Sequence, residues 1–182
     1  ENLSWSQFLK INNYLYDLVG VKPVMTISRN YPFKDVYTHV LGYVSQPNHE
    51  EILENKIVKE RFVPGMKIGK VGLEKTFEKQ LIGTNAIQRY EVNAFGKRIN
   101  QLEFQKGIQG NKIRLTLDTE IQKLSAKLLL NKAGSISVMD IYTGDIIAMY
   151  SSPSYDPNLF LFGISQDEWE LIRNNPLKPL IH

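Results

Sequence analysis

The clearest pattern of hydrophobic and polar positions lies in the last third of the chain. Four apolar residues recur at helical spacing and predict the buried face of a helix over residues 119–131; they are Ile121, Leu124, Leu128 and Leu129. Thr119 and Gln122 have the spacing of a capping box at the start of this helix. Residues 113–117, just before it, are predicted to form a strand.

Two antiparallel strands and another helix are predicted beyond that point. Residues 135–139 alternate between polar and apolar side chains, and an Ile-rich run at 145–150 returns after a turn at 140–144. Ser165 and Glu168 have capping-box spacing ahead of a short helix. The large apolar side chains near this helix are expected to belong to the core, with a surface for a protein partner as the alternative; they are Phe160, Phe162, Trp169 and Leu171.

The first two thirds of the chain show weaker patterns. The predicted elements are, in chain order, a helix over 4–18, a strand over 24–28, a strand or short helix over 36–44, a helix or loop over 47–55, a helix over 72–83 and a hairpin over 87–104. Residues 105–112 contain two glycines and little apolar content, so we place a domain boundary between residues 1–112 and 113–182. Helices mixed with antiparallel hairpins predict the α+β class.

The charge of the chain argues only weakly for a nucleic-acid partner. The formal net charge is +3. Residues 1–112 hold 16 Lys and Arg against 11 Asp and Glu, whereas residues 113–182 hold 6 against 8. The cations are scattered among acids without interleaved aromatic residues, so we expect no nucleic-acid binding. The alternative, a basic nucleic-acid binder, would show salt-sensitive retention on DNA.

Motif searches identify no catalytic or metal-binding signature. The sequence contains no cysteine and no H-E-x-x-H pair, so we expect no metal site and no cofactor. It also lacks G-x-S-x-G, S-x-x-K and K-T-G, the signatures of activated serine nucleophiles. Residue chemistry alone leaves two interpretations: a binding or scaffold module, and a truncated enzyme.

Four segments of the last third resemble the opening of the transpeptidase domain of class B penicillin-binding proteins. They are LTLDTEIQ at 115–122, GSISVMD at 134–140, TGDIIAM at 143–149 and SPSYDPN at 152–158. Upstream segments resemble the pedestal, or dimerisation, domain of the same class; they are RNYP at 29–32, THVLGYV at 38–44, GLE at 72–74 and VNAFGKR at 92–98. The residues after position 158 are similar to the elongation-specific branch of the class.

The resemblance implies a fold and an activity. The fold would be a mixed pedestal domain followed by the N-terminal helix and β-hairpin of a β-lactamase-like serine D,D-peptidase, truncated in this chain. The activity of the full-length protein would be peptidoglycan D,D-transpeptidation through an acyl-serine intermediate. The family's S-x-x-K is expected beyond His182, so the resemblance implies that this chain is inactive alone.

The resemblance also implies partners and a location. Peptidoglycan stem peptides and β-lactams would bind the full-length protein only. The pedestal would contact a membrane glycosyltransferase and an elongation-complex scaffold, which supports the alternative of a non-catalytic interaction module. The location would be the periplasmic face of the bacterial inner membrane, with the anchor helix outside this chain. A hairpin cut off from its sheet exposes strand edges and an apolar face, so we expect the last third either to be less stable than the pedestal or to dimerise to cover that face.

Six charged residues are candidates for structural or interdomain roles; they are Arg29, Glu74, Arg98, Asp118, Asp140 and Asp156. One interpretation is that each caps a helix, closes a turn or forms a surface ion pair. A sharper hypothesis joins the two arginines and Glu74 in a network that sets the angle between the pedestal and the catalytic domain.

Overall fold

A computed structural model describes residues 3–21, 28–63, 65–95 and 97–180. The helices are α1 (Trp5–Asn13), α2 (Thr38–Leu41), α3 (His49–Glu54), α4 (Lys56–Arg61), α5 (Gly72–Thr76), α6 (Glu78–Leu81), α7 (Thr119–Leu128) and α8 (Gln166–Arg173). The strands are β1 (Val44–Ser45), β2 (Ile68–Gly69), β3 (Ile87–Val92), β4 (Arg98–Gln105), β5 (Gly134–Met139) and β6 (Ile146–Ser152). Short 3₁₀ turns span Lys34–Val36 and Pro157–Phe160.

The strands form three antiparallel pairs, β1 with β2, β3 with β4 and β5 with β6. Helices and small antiparallel sheets together confirm the α+β class. Both predicted hairpins are present, and α8 begins with the predicted capping box between Ser165 and Glu168. The domain boundary at 112/113 stays a prediction.

Several sequence predictions for the first two thirds need correction. Helix α1 ends at Asn13, before the predicted position 18, and turns follow. The predicted strand at 24–28 lies outside the described residues except for its last position. At 36–44, where the sequence left strand and short helix open, the structure is mainly helical and reaches a strand only at β1.

The predicted strand at 113–117 is also wrong. The chain there forms no ladder. It touches β6 through two bonds, from the Thr116 hydroxyl to the Ile146 carbonyl at 2.6 Å and from the Asp118 amide to the Ile147 carbonyl at 2.8 Å. Asp118, not Thr119, caps α7, because its carboxylate accepts from the amides of Glu120 and Ile121 at 2.9 Å.

Helix α7 buries a face beside the predicted one, and of the four predicted apolar residues only Leu129 is partly buried. Gln122 and Ser125 are buried, whereas Leu124 and Leu128 are 53% and 57% exposed. The Gln122 carboxamide contacts β6 and the 3₁₀ turn at Lys34–Val36, whereas the Ser125 hydroxyl donates to the Ile121 carbonyl within α7. Of the four residues near α8 that were predicted to lie in the core, only two are covered. Phe160 is buried and Trp169 is partly buried, while Phe162 and Leu171 are exposed.

Aromatic side chains join residues 31–44 to the segment after β6. Tyr155 meets the rings of His39, Tyr43 and Phe160 edge-on, with centroids 5.6–6.3 Å apart. Tyr43 stacks on Phe160 at 4.1 Å. Such pairs each add about 0.5–1.5 kcal/mol beyond the area that they bury. The core therefore runs across the predicted domain boundary.

Two glycines allow α2 and α5 to approach each other closely. Gly42 has φ +76°, and a Cβ there would lie 2.0 Å from the carbonyl oxygen of Val71. Gly72 has φ +63°, and its Cβ would lie 2.7 Å from the carbonyl oxygen of Val40. Neither position has room for a side chain, so these glycines fix the distance between the two segments.

We predict that Gly42→Ala destabilises the fold by more than about 3 kcal/mol, because backbone strain adds to a backbone clash. Gly144→Ala is the matched control, since Gly144 has φ +77° with nothing within 4 Å of its Cβ position. The control should lose only about 1 kcal/mol. Urea unfolding of the three proteins measures both losses, and equal losses would contradict the close approach.

Candidate functional site

The structure brings Arg29 and Glu74 together as a two-pronged ion pair. Arg29 Nε and Nη2 donate to Glu74 Oε1 and Oε2 at 2.9 and 3.0 Å. The Tyr31 hydroxyl donates to Glu74 Oε1 at 3.3 Å. Burial, followed by the charge of Glu74 and this hydrogen bond, raises the pKa of Tyr31 above its usual value. The pair thus fixes α5 against the segment that leads into α2.

Arg98 lies apart from that pair. It begins β4, and its guanidinium carbon sits 4.3 Å from the centroid of the Tyr90 ring on β3. This cation–π contact braces the β3–β4 hairpin. The three-residue network hypothesised from the sequence is therefore reduced to Arg29, Glu74 and, in place of Arg98, the hydroxyl of Tyr31.

The three candidate aspartates cap or close local structure. Asp118 caps α7, as described above. Asp140 accepts from the amides of Tyr142 and Thr143 at 2.7 and 3.1 Å in the turn between β5 and β6. Asp156 accepts from the amide of Asn158 at 2.9 Å and caps the 3₁₀ turn Pro157–Phe160.

Asn158 makes a contact that sequence reasoning missed. Its Oδ1 accepts from the Tyr31 amide and its Nδ2 donates to the Tyr31 carbonyl, both at 3.0 Å. We call these two bonds the Asn158 clamp. The partners are 127 residues apart, so no local pattern signals the contact.

Further polar contacts join residues 31–44 to residues 116–161. We call the whole set of contacts between these two ranges, including the Asn158 clamp, the seam. Gln122 Nε2 donates to the carbonyls of Val36 and Met149, and its Oε1 accepts from the Met149 amide, all at 2.8 Å. The other contacts of the seam run from the Tyr37 hydroxyl to Thr119 Oγ1, from the Thr38 hydroxyl to the Tyr155 carbonyl and from the Ser154 hydroxyl to the Asp35 carbonyl. Within the described part of the chain, every buried side-chain nitrogen and oxygen has a hydrogen-bond partner.

A charged cleft of about 400 Å³ adjoins the Arg29–Glu74 pair. Glu78 lines it and accepts from the Gly69 amide at 2.7 Å. Burial raises the pKa of Glu78, and the Gly69 hydrogen bond offsets part of the increase. Lys67 donates to the Ser28 hydroxyl at 2.9 Å and lies 3.6 Å from the centroid of the Phe162 ring. Burial lowers the pKa of Lys67.

Among the described residues, no three His, Asp or Glu side chains lie close enough together to bind a metal ion, at this cleft or elsewhere. Among the same residues, no helix has the length and apolar character needed to cross a bilayer. The ion pair at the cleft and the hydrogen bonds of the seam join segments that are far apart in the sequence.

Comparisons with known proteins identify the relatives of the chain. The family model of the penicillin-binding protein dimerisation domain matches residues 1–115. The peptidoglycan D,D-transpeptidase MrdA of Acinetobacter baumannii is 34% identical over 179 residues, which cover 98% of this chain and 26% of that protein. MrdA of Escherichia coli K12 is 36% identical over 174 residues, covering 94% and 27%. The chain thus spans about a quarter of the length of these relatives.

The solved structures that resemble this chain are also penicillin-binding proteins. The complex between the penicillin-binding protein PBP2 and MreC from Helicobacter pylori matches with a TM-score of 0.83 and 29% identity, over 100% of this chain and 33% of the matched one. PBP2 of Pseudomonas aeruginosa in complex with WCK 5153 matches with a TM-score of 0.69 and 31% identity, over 87% and 31%. The resemblance to elongation-specific proteins read from the sequence is confirmed.

We predict that Arg29→Ala lowers the free energy of unfolding by about 2–3 kcal/mol, because it leaves the buried Glu74 carboxylate without its cation. The loss should stay below that of a wholly buried pair, since the Arg29 side chain is 39% exposed. Arg89→Ala is the control: it breaks an exposed pair with Glu103 and should cost at most about 1 kcal/mol. Equal losses in chemical denaturation would contradict the role given to Arg29.

We predict that Glu78→Gln stabilises the protein at pH 7.5 and loses this advantage near pH 4. The pKa of Glu78 is higher in the folded protein than in the unfolded chain, where a Glu carboxyl has a pKa of about 4.3. The contribution of Glu78 to the free energy of unfolding is therefore complete below that unfolded pKa. It is lost as the pH rises through the higher pKa of the folded protein. Glutamine keeps an oxygen for the Gly69 amide without the buried charge.

Glu51 is the control for that prediction, because its pKa is lowered where that of Glu78 is raised. Burial acts to raise the pKa of Glu51, but hydrogen bonds from Lys70 and the Asn48 amide and the charge of Lys70 lower it overall. Glu51→Gln should therefore destabilise at pH 7.5, with the loss vanishing as pH falls. Melting temperatures between pH 4 and 8 test both variants, and parallel curves for wild type and Glu78→Gln would contradict the first.

Proposed function

The chain belongs to the penicillin-binding protein dimerisation domain family, and from that premise we propose that it is the pedestal and the opening of the catalytic domain of a peptidoglycan D,D-transpeptidase that acts in cell elongation. The observation that carries the proposal is the alignment of nearly the whole chain, on both sides of the predicted boundary, with relatives of that name. The seam adds physical support, because it fixes α7 and the β5–β6 hairpin to the pedestal.

In the proposed reaction, a serine hydroxyl attacks the carbonyl of the D-alanyl-D-alanine bond of a stem peptide. D-alanine leaves, and an amine from a neighbouring strand of peptidoglycan resolves the acyl-serine ester. A lysine that activates the serine and an oxyanion hole held by rigid elements would lower the barrier. This chain lacks the S-x-x-K signature, so its part is to hold outer elements of the catalytic domain in position.

A second function is supported by the β3–β4 hairpin. Five large apolar residues of this hairpin are exposed to solvent. Phe95 in the turn is 94% exposed, and the four others are each more than half exposed; those four are Val92, Ile99, Leu102 and Phe104. Exposed apolar surface of this kind is typical of protein contacts. We propose that the pedestal also binds a membrane glycosyltransferase or an elongation scaffold on the periplasmic face of the inner membrane. A relative solved in complex with MreC supports the scaffold.

We predict that a fluorescent penicillin labels the full-length protein and leaves this chain unlabelled. A β-lactam acylates the activated serine, and that signature is missing here. Gel fluorescence after incubation with both proteins measures the labelling, with heat-unfolded full-length protein as the control. Covalent labelling of this chain, or none of the full-length protein, would contradict the proposal.

A further inference from the structure

The Asn158 clamp has a fixed orientation. Asp156 Oδ1 accepts from both the backbone amide and the Nδ2 of Asn158, at 2.9 and 2.7 Å. The Tyr31 carbonyl also faces Nδ2. Two acceptors on one side of the carboxamide require its NH₂ group there, so Oδ1 is left to accept from the Tyr31 amide. The side chain therefore pairs with Tyr31 much as a neighbouring strand would.

Tyr31 continues the connection into the pedestal. Its ring is buried in a cluster with Val44 and Leu161, and its hydroxyl donates to Glu74 on α5. Glu74 is held in turn by Arg29. A continuous set of contacts thus runs from α5 through Tyr31 and Asn158 to the 3₁₀ turn Pro157–Phe160.

We propose that Asn158 is a positioning residue of the transpeptidase, through which the placement of the pedestal sets the placement of the loop after β6. The inference rests on the proposed function and adds the contact by which the pedestal acts on the catalytic domain. Two hydrogen bonds to one backbone unit are made or lost together, so a shift of α5 that moves Tyr31 opens the clamp. The loop then loses both hydrogen bonds to the Tyr31 backbone, and the remaining apolar contact between Leu161 and the Tyr31 ring is non-directional.

Asn158→Asp tests the clamp without changing the size of the side chain. The carboxylate keeps an acceptor for the Tyr31 amide but opposes the Tyr31 carbonyl and the Asp156 carboxylate with no proton to donate. A protonated Asp regains one donor. The other ionisable groups on elements packed against this loop are Glu74 and Arg29 beyond the Tyr31 hydroxyl, Lys67 over Phe162, Asp35, whose carbonyl accepts from Ser154, and His39, whose ring meets Tyr155. Wild type and variant share all of them, so the ratio of the two proteins reports the new carboxyl group. The loss should therefore be reversed by acid.

The experiment measures acylation of the full-length protein by a fluorescent penicillin between pH 5 and 8, as the ratio of variant to wild type at each pH. We expect Asn158→Asp to acylate about tenfold more slowly at pH 7.5, the equivalent of one charge-assisted hydrogen bond, and to come within about twofold of wild type at pH 5. The loss should fall on the acylation rate constant, with non-covalent affinity nearly unchanged.

Two controls separate positioning from general loss of stability. Asn55→Asp keeps the acceptor that caps α4, where Asn55 Oδ1 receives the amides of Ile57 and Val58, so its ratio should stay near one at every pH. Val58→Ala removes a wholly buried side chain from the same helix. It should lower the melting temperature but leave acylation unchanged at a temperature where the protein is folded.

The outcomes are distinct. A slow variant that recovers at pH 5 while both controls behave like wild type supports the proposal. An Asn158→Asp ratio that is near one at pH 7.5, or low and independent of pH, overturns it, as does an equal loss in Val58→Ala. Failure of the wild-type protein itself to react would instead overturn the proposed function.

Discussion

The buried carboxamide of Gln122 is the contact on which the arrangement of this chain depends. It satisfies the Val36 carbonyl and both backbone groups of Met149. One side chain therefore ties α7 and β6 to the 3₁₀ turn that precedes α2. Loss of such a group leaves three part-buried backbone groups without this partner, and the cost for each is at most the roughly 1–3 kcal/mol of a fully buried group.

The rest of the seam repeats this principle with other side chains. Hydroxyl groups and the carboxamide of Asn158 bond to backbone groups on the opposite region, while the rings of Tyr155 and Phe160 pack against each other and are buried. Apolar packing gives the seam its stability, and the directional bonds give it one geometry. The seam thereby fixes residues 31–44 relative to α7 and the β5–β6 hairpin.

The sequence predicted features that depend on nearby residues. The β3–β4 hairpin and the capping box of α8 are local, so spacing along the chain was enough to find them. The buried face of α7 was predicted wrongly, because periodicity assumes that apolar residues are covered. The partners of Gln122 lie 86 and 27 residues away. Arg29 and Glu74, 45 residues apart, were candidates only because family resemblance marked their segments.

The most direct test of the account is amide hydrogen exchange in wild type and Gln122→Leu, which keeps much of the side-chain volume but removes its bonds. The account predicts that the Met149 amide and the segment at 31–44 lose protection together, since one carboxamide holds both sides. Faster exchange confined to β6, with protection at 31–44 unchanged, would contradict the claim that Gln122 joins the two regions.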